Sequence, residues 1–148
     1  MRLLNARTGE AVAGGVELAL TRTARRRGLL GRDRLDPSTA LLLLPCWAVH
    51  TAFMRFAIDV IFVDKDGRTV RVVRGLPPWR VAVAPGATAA IELAAGSLRP
   101  MDVMVGDRLY LEGTTQTSTL KSQVSRLKAE RDRGSSRRHE DFEEHEAS

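Results

Sequence analysis

Cys46, His50 and Met54 carry the side chains with the clearest potential for metal chemistry, because all three types bind copper and the first two also bind zinc. They recur every four positions. On a helix they would share one face, but on a strand each step of four advances about 13 Å, too far for one ion. The β-branched and aromatic residues around them favour strand or irregular structure over a helix. We therefore predict no metal and no cofactor, with Cys46 and Met54 packed in the core.

A second arrangement would make Cys46 a nucleophile, His50 its base, and Asp59 or Asp64 the group that orients the base. Such a triad needs distances of about 3 Å between its members. Nothing in the sequence brings these residues together, and a small protein with one cysteine offers the same set by chance. The sequence therefore does not predict cysteine catalysis.

Asp59 is the only charged residue in the otherwise apolar segment from Phe56 to Val63. A carboxylate inside a strand must face water or find a hydrogen-bonded partner. We predict an ion pair with Arg55 or Arg32, since buried charges are usually paired. The alternative is a catalytic cleft in which Asp59 is the base beside His50, and Arg55 binds an anion.

A basic cluster lies between residues 22 and 34 and could neutralise phosphates. Its only acidic member is Asp33. Arginine is nevertheless the general cation of this chain, with 20 arginines against 3 lysines, and the cluster contains no aromatic residue on which a base could stack. We predict a solvated or salt-bridged helix face and no nucleic-acid site. The arginines concerned are Arg22, Arg25, Arg26, Arg27, Arg32 and Arg34.

A β-hairpin is the clearest of the elements that must position these residues. Ile58 to Val63 and Thr69 to Val73 are rich in β-branched residues, and they flank the turn sequence Asp64-Lys65-Asp66-Gly67. Glycine at the end of that turn can adopt a positive φ. The pattern therefore predicts two antiparallel strands at this point.

One helix and several further strands complete the predicted fold. Thr21 or Thr23 caps a helix that runs to about Leu30 and stops at Gly31. Many short strands with one early helix predict the α+β class, as a small barrel-like domain of short antiparallel or mixed strands. The further strands are Arg2 to Asn5, Val16 to Leu20, Leu41 to Leu44, Val81 to Val83, Ala89 to Leu93 and Asp107 to Leu111.

Composition narrows the class of protein. With 148 residues, a net charge of +5 and one cysteine, the chain can form a core, but it cannot be a disulfide scaffold or a cysteine-rich zinc finger. No apolar run approaches the length of about 20 residues that spans a bilayer, and acidic residues interrupt the first 20 positions. We predict no transmembrane segment and a cytoplasmic location.

A change in composition near Gly113 predicts a domain boundary, with a globular domain at 1–113 and a charged flexible tail at 114–148. All of the net charge falls in the first part, and large apolar residues become rare in the second. Leu120, Val124 and Leu127 recur at helical spacing, which predicts a short helical stretch near 120–133. Residues 134–148 have the composition of a disordered segment.

Five segments, taken in order, resemble domain-of-unknown-function family 192 over Leu3 to Leu111. Ala57 stands where the family usually has proline, and His50 stands where many members have tryptophan. The subgroup that this chain resembles reads His-Thr-x-x-Met-Arg before the Ile-Asp strand. The segments are Arg27-Gly28-Leu29-Leu30-Gly31-Arg32, Leu41 to Leu44, His50 to Asp64, Glu92 to Gly96, and Val105-Gly106-Asp107.

The resemblance implies a small β-rich domain, widespread in bacteria and archaea and often preceded by a signal peptide or lipid anchor, with no established activity. It also singles out positions to watch, among them His50, Asp59 and the glycines 28, 31, 96 and 106. The candidate ligand-binding residues that it implies are Arg27, Arg32, Glu92 and Asp107.

Two functions from different classes follow, and the sequence favours the non-enzymatic one. In the first, the domain is a non-catalytic binding or accessory module of a bacterial assembly, whose tail contacts a protein partner through Leu120, Val124 and Leu127. In the second, it is a hydrolase-like enzyme with a cleft around Asp59, His50 and Arg55.

Overall fold

A computed structural model describes the backbone of residues 1–146 and the side chains of residues 1–135. This part of the chain contains ten short strands and two helices. In chain order they are β1 (Leu3–Asn5), β2 (Ala11–Ala13), β3 (Gly15–Ala19), α1 (Arg22–Arg27), β4 (Thr39–Leu43), β5 (Ala48–His50), β6 (Ile58–Val63), β7 (Thr69–Leu76), β8 (Val81–Val83), β9 (Ala89–Ala94), β10 (Leu109–Leu111) and α2 (Leu120–Glu146).

The central sheet has five strands in the order β3-β4-β9-β6-β7. β3 and β4 run parallel, and α1 lies in the connection between them, whereas the other neighbours are antiparallel. β4, β6 and β9 are buried nearly throughout, because both faces of the sheet are covered. The predicted α+β class is confirmed.

The strands form open sheets in the described part of the chain, so the barrel-like closure that we predicted was wrong. β3 and β7 are the edges of the central sheet and do not pair with each other. The remaining strands form a three-stranded sheet, β10-β1-β2, and a two-stranded sheet, β5-β8. Closure needs the first and last strands of one sheet to pair, and here the chain uses its extra strands in separate sheets.

Alternation along the central strands divides the core into two layers. Leu42, Ile61 and Ile91 face one layer, which also contains β1, β10 and the start of α2. Val60 and Ala90 face the other layer, which contains residues that precede and follow α1 and the residues of β5 and β8. Consecutive residues on a central strand therefore point into opposite layers of the core.

The predicted hairpin is confirmed, with β6 and β7 paired in antiparallel register around the turn at residues 64–67. Gly67 has a φ of 80°, and its carbonyl oxygen accepts the N–H of Leu109 at 2.8 Å. A Cβ atom at this position would overlap the carbonyl oxygen of Leu109. The turn therefore depends on glycine both for its dihedral angle and for its contact with β10.

The first turns of α2 pack on the chain's own core. Leu120 and Val124 are buried in the layer beside β10, and Leu127 packs against it. The side-chain oxygen of Gln123 accepts the N–H of Leu111 at 2.9 Å. Leu120, Val124 and Leu127, which the sequence predicted to contact a partner, contact the protein's own core. A partner that bound the tail would therefore bind other residues.

The helical stretch predicted near 120–133 lies within α2. The division into a domain at 1–113 and a tail stays a prediction, as does disorder at 134–148, which falls almost entirely on residues whose side chains lie outside the described part. Among the described residues, no helix combines the length and apolarity that crossing a bilayer requires.

Candidate binding cleft

A cleft of about 390 Å³ opens on the layer of the core that contains β5 and β8. Ligand sites for small molecules commonly have about 300–1,000 Å³. Exposed residues of α1 form its rim, β5 and the residues around it form one wall, and β9 contributes a buried residue to its floor. The lining includes Arg22, Arg26, Arg27, Trp47, His50 and Glu92.

α1 is a short helix with well-defined ends. The Oγ1 atom of Thr21 accepts the backbone N–H three residues later at 3.0 Å, as expected of an N-cap. Gly28 adopts a φ of 43° at the C-cap, so the helix ends at Arg27 and not near Leu30 as predicted. Gly31 also has a positive φ, but it lies in the turn that follows the helix.

The arginines of α1 divide into one structural residue and three that are available. Arg25 donates to the carbonyl oxygens of Leu20 at 2.7 Å and Leu44 at 3.3 Å, which ties α1 to the end of β4. The other three are exposed, and their guanidinium groups make no hydrogen bond or ion pair with any described side chain or backbone group. They are Arg22, Arg26 and Arg27.

Glu92 is the buried carboxyl group at the floor of the cleft. Its side chain lies between the neighbouring strands at Leu41 and Val60, on the cleft side of the central sheet, and only 4% of the residue is exposed. Its Oε2 atom is buried and has no hydrogen-bond partner among the described residues. Burial raises the pKa of Glu92 to about 7, against a smaller opposing effect from the charge of Arg32.

Cys46, His50 and Met54 all line the same cleft. Cys46 is half-buried, and its thiol donates to the carbonyl oxygen of Ala48 at 3.1 Å. Burial raises the pKa of this thiol, which disfavours the thiolate. Met54 is buried in the core, whereas His50 is exposed. The described residues contain no group of three His, Cys, Asp or Glu that could hold an ion.

Asp59 lies on the opposite face of the central sheet from the cleft, and its predicted partner was wrong. Its two carboxylate oxygens accept backbone N–H groups, from Gly75 at 2.8 Å and from Leu98 at 3.2 Å. Arg55 instead forms an exposed ion pair with Asp33, and Arg32 pairs with Glu17 at 2.7 Å. Asp59 can therefore be buried because backbone N–H groups, and not an arginine, supply the hydrogen bonds of its carboxylate.

Two of the three residues of the hydrolase hypothesis therefore lie away from the cleft. Asp59 follows the strand alternation of Ile61 into the other core layer, and Arg55 is not part of the lining. Only His50 lines the cleft. The structure does not assemble Asp59, His50 and Arg55 into a single site.

We expect Asp59→Asn to lower the free energy of unfolding by about 2 kcal/mol, because the amide nitrogen cannot accept and one buried N–H is left unpaired. Chemical denaturation of both proteins measures the difference. Asp33→Asn is the matched control, since it removes an exposed ion pair that contributes little. Equal losses in the two variants would contradict the anchoring role of Asp59.

The remaining candidates from the sequence occupy other places. Arg32 lines a smaller neighbouring cleft, which Arg27 shares. Asp107 lies in the three-stranded sheet region, where it accepts from Asn5 and Met104 at 2.9 Å and from Arg7 at 2.8 Å. The hydrogen bond from Arg7 is the largest cause that lowers the pKa of Asp107 to about 2. Its acceptor positions are thus used within the fold.

The sequence analysis did not place Trp47 and the α1 arginines in one site, and it did not predict that three of these arginines are unpaired. Glu92 was one of a set of carboxylates that could carry chemistry, and only the family resemblance singled it out for ligand binding, although a stronger signal was present. It is a carboxylate between Ile91 and Leu93 in an apolar strand, which is the same pattern that drew attention to Asp59.

Comparison with known proteins gives a consistent family match. The sequence model of the DUF192 family, described as "Uncharacterized ACR", matches residues 4–111. A UPF0127 protein of Thermococcus sibiricus is 30% identical over 131 residues, which cover 84% of each chain.

Two crystal structures are similar to this chain in fold. A protein of unknown function from Novosphingobium aromaticivorans has a TM-score of 0.59 and 24% identity, over 65% of this chain and 74% of that one. A putative transcription regulator from Sinorhizobium meliloti has a TM-score of 0.62 and 24% identity, over 73% and 88%. At this level of identity the likeness concerns the fold alone.

Proposed function

The chain belongs to the DUF192 family, whose function is unknown, and we propose that this member is a non-catalytic binding module for a small anionic ligand. The ligand would enter the cleft between α1 and β5. Its anionic group would bind the free guanidinium groups at the rim, and an N–H or O–H donor on the same molecule would bind Glu92 at the floor.

The observation that carries the proposal is the unpartnered Oε2 atom of Glu92. A buried polar atom without a hydrogen bond lowers stability, and native proteins contain few of them. A donor supplied by a ligand would satisfy this atom and would also favour the ionised carboxylate. Glu92 is part of the cleft lining, so a ligand bound in the cleft would lie beside this residue.

The chemistry of the rim supports an anionic ligand. Arg22, Arg26 and Arg27 lie exposed on one short helix without partners among the described residues, and like charges so close together favour a shared counter-ion. Arginine binds carboxylate and phosphate groups through paired N–H donors. The candidate ligand residues retained from the sequence are therefore Arg27 and Glu92, with His50 in the wall.

Binding is favoured over catalysis by the state of the potential nucleophile and bases. The Cys46 thiol is held protonated by burial and donates to a carbonyl oxygen. Asp59, the base of the hydrolase hypothesis, accepts two backbone N–H groups on the other face of the sheet. No specific observation favours the enzyme hypothesis, so we do not propose it further.

A series of ω-amino carboxylates from β-alanine to 6-aminohexanoate tests the proposal on the full chain. The series varies the distance between an anion and an N–H donor, and backbone amide NMR shifts report where each compound binds. We expect one length to bind best, with shifts at α1 and β9. Alkanoates without the amine, and alkylamines without the carboxylate, should bind about tenfold more weakly, which corresponds to one lost charged contact.

Glu92→Gln and Arg26→Gln are the test variants, and Arg34→Gln is the control, because Arg34 is exposed but is not in the lining. We expect both test variants to weaken binding of the best compound and the control to leave it unchanged. Shifts that spread evenly over the surface, or equal binding by all the variants, would contradict the proposed site.

A further inference from the structure

The two-stranded sheet of β5 and β8 presents an apolar face to solvent. His50 pairs with Val81, and Ala48 pairs with Val83. The side chains between these pairs, Val49 and Ala82, are buried, so strand alternation points Val81 and Val83 outward. Val81 is 69% exposed, which is unusual for a β-branched apolar residue on a sheet.

An exposed aromatic pair stands at the end of this sheet. The rings of Phe53 and Trp79 have centroids 4.6 Å apart, yet the residues are 74% and 61% exposed. Both residues also have a positive φ, of 62° and 64°. Bulky residues adopt this conformation at a cost in free energy, and such strain is concentrated at sites of function.

Thr51 fixes the two loops that present the pair. It is fully buried, and its Oγ1 donates to the carbonyl oxygen of Pro77 at 2.7 Å and accepts the N–H of Arg80 at 2.8 Å. Its carbonyl oxygen accepts the N–H of Trp79 at 3.0 Å. These bonds join the loop after β5 to the loop before β8, so the exposed rings are held in place by the fold.

The surroundings of this surface are cationic. Residues 45–57 and 77–88 contain no acidic residue and two arginines, of which Arg55 is paired with Asp33 from outside these segments and Arg80 forms no ion pair with a described residue. The adjoining cleft, whose wall is β5, adds the unpaired arginines of α1, and Trp47 is also exposed beside it. The surface therefore combines outward apolar side chains with positive charge. A second copy of this chain would bring like charges together, which disfavours self-association.

We propose that Phe53, Trp79, Val81 and Val83 form a docking surface for an anionic lipid bilayer. Aromatic and aliphatic side chains enter the boundary between headgroups and acyl chains, where tryptophan is favoured, while arginines contact the anionic headgroups. An anionic bilayer offers both kinds of contact, because its negative headgroups lie at the outside for the arginines and its acyl chains lie beneath for the apolar side chains. The surface adjoins the proposed small-molecule cleft and shares the positive charge of its α1 arginines, but bilayer binding does not require a ligand in the cleft.

Vesicle binding by the full chain tests this proposal. The probes are vesicles of phosphatidylcholine alone and of phosphatidylcholine mixed with phosphatidylglycerol. Trp47 and Trp79 are the only tryptophans of the chain; Trp79 belongs to this surface and Trp47 lies exposed in the adjoining cleft, so a change in their emission reports insertion at or beside the surface. We expect a blue shift and co-sedimentation with the mixed vesicles only, and weaker binding at high salt.

Val81→Thr and Val105→Thr form a matched pair, because each valine is 69% exposed and the two lie at different places on the surface. We expect Val81→Thr to weaken binding a few-fold, Phe53→Ser to weaken it about tenfold, and Val105→Thr to leave it unchanged. Equal binding by the two threonine variants would overturn the proposal. So would equal binding to neutral vesicles, or binding to poly-glutamate without binding to vesicles, which would indicate an acidic protein partner.

Discussion

The free energy of unfolding is expected to fall by up to about 3 kcal/mol as the pH rises from about 4.5 to above 7. In the Glu92→Gln variant, most of this pH dependence is expected to be absent. The pKa of Glu92 is about 7 in the folded protein, whereas its usual value is 4.5. Between these values the folded protein holds a proton that the unfolded chain releases. Raising the pH removes that proton and charges a buried group, which destabilises the fold.

Chemical denaturation at pH 5 and pH 8 measures this effect, with Glu10→Gln as the control for loss of an exposed carboxylate. All other ionisable groups are common to the wild type and Glu92→Gln, so the difference between their profiles isolates Glu92. Asp107 acts in a lower range, because its lowered pKa of about 2 adds stability that is lost only as the pH falls below about 4. Parallel profiles for wild type and Glu92→Gln would contradict the burial of an unpartnered carboxyl.

Gly67→Ala is expected to lower the free energy of unfolding by about 4 kcal/mol. Alanine at a φ of 80° is strained, and its Cβ atom would also overlap the carbonyl oxygen of Leu109, a backbone atom that cannot move alone. Relief would require the turn between β6 and β7 to separate from β10. The hydrogen bond from Leu109 to Gly67 would then lengthen or break.

Gly86→Ala separates these two contributions, because Gly86 has a φ of 89° but nothing lies within 4 Å of the added Cβ atom. We expect this control to lose only about 1 kcal/mol, the cost of the dihedral angle alone. Denaturation curves of the three proteins give both values. If the two alanine variants were equally stable, the close approach of the turn to β10 would be refuted.

Local sequence signals predicted the parts of the fold that depend on nearby residues. The hairpin around Gly67 and the cap at Thr21 follow from turn and helix-end chemistry within a few positions. β2 and β5 were missed, because each has three residues and exists through its pairing with a distant strand. The expected barrel failed for the same reason, since strand order depends on long-range contacts that no local pattern records.

The candidate site was predictable only in part. The chain reverses direction between His50 and Met54, so Cys46, His50 and Met54 reach one cleft even though a continuous strand would separate them. The partner of Asp59 was missed because backbone N–H groups occur at every position and leave no signal in the sequence. The faces of Asp59 and Glu92 did follow from strand alternation, once their strands were placed in the same sheet.

The pairing of β1 with β10 has a consequence for the order of folding during synthesis. Leu3 lies opposite Leu111, so β1 has no partner on one side until almost the whole family-matched region has left the ribosome. The central sheet consists of β3, β4, β6, β7 and β9, so it can form before β1 and β10 pair.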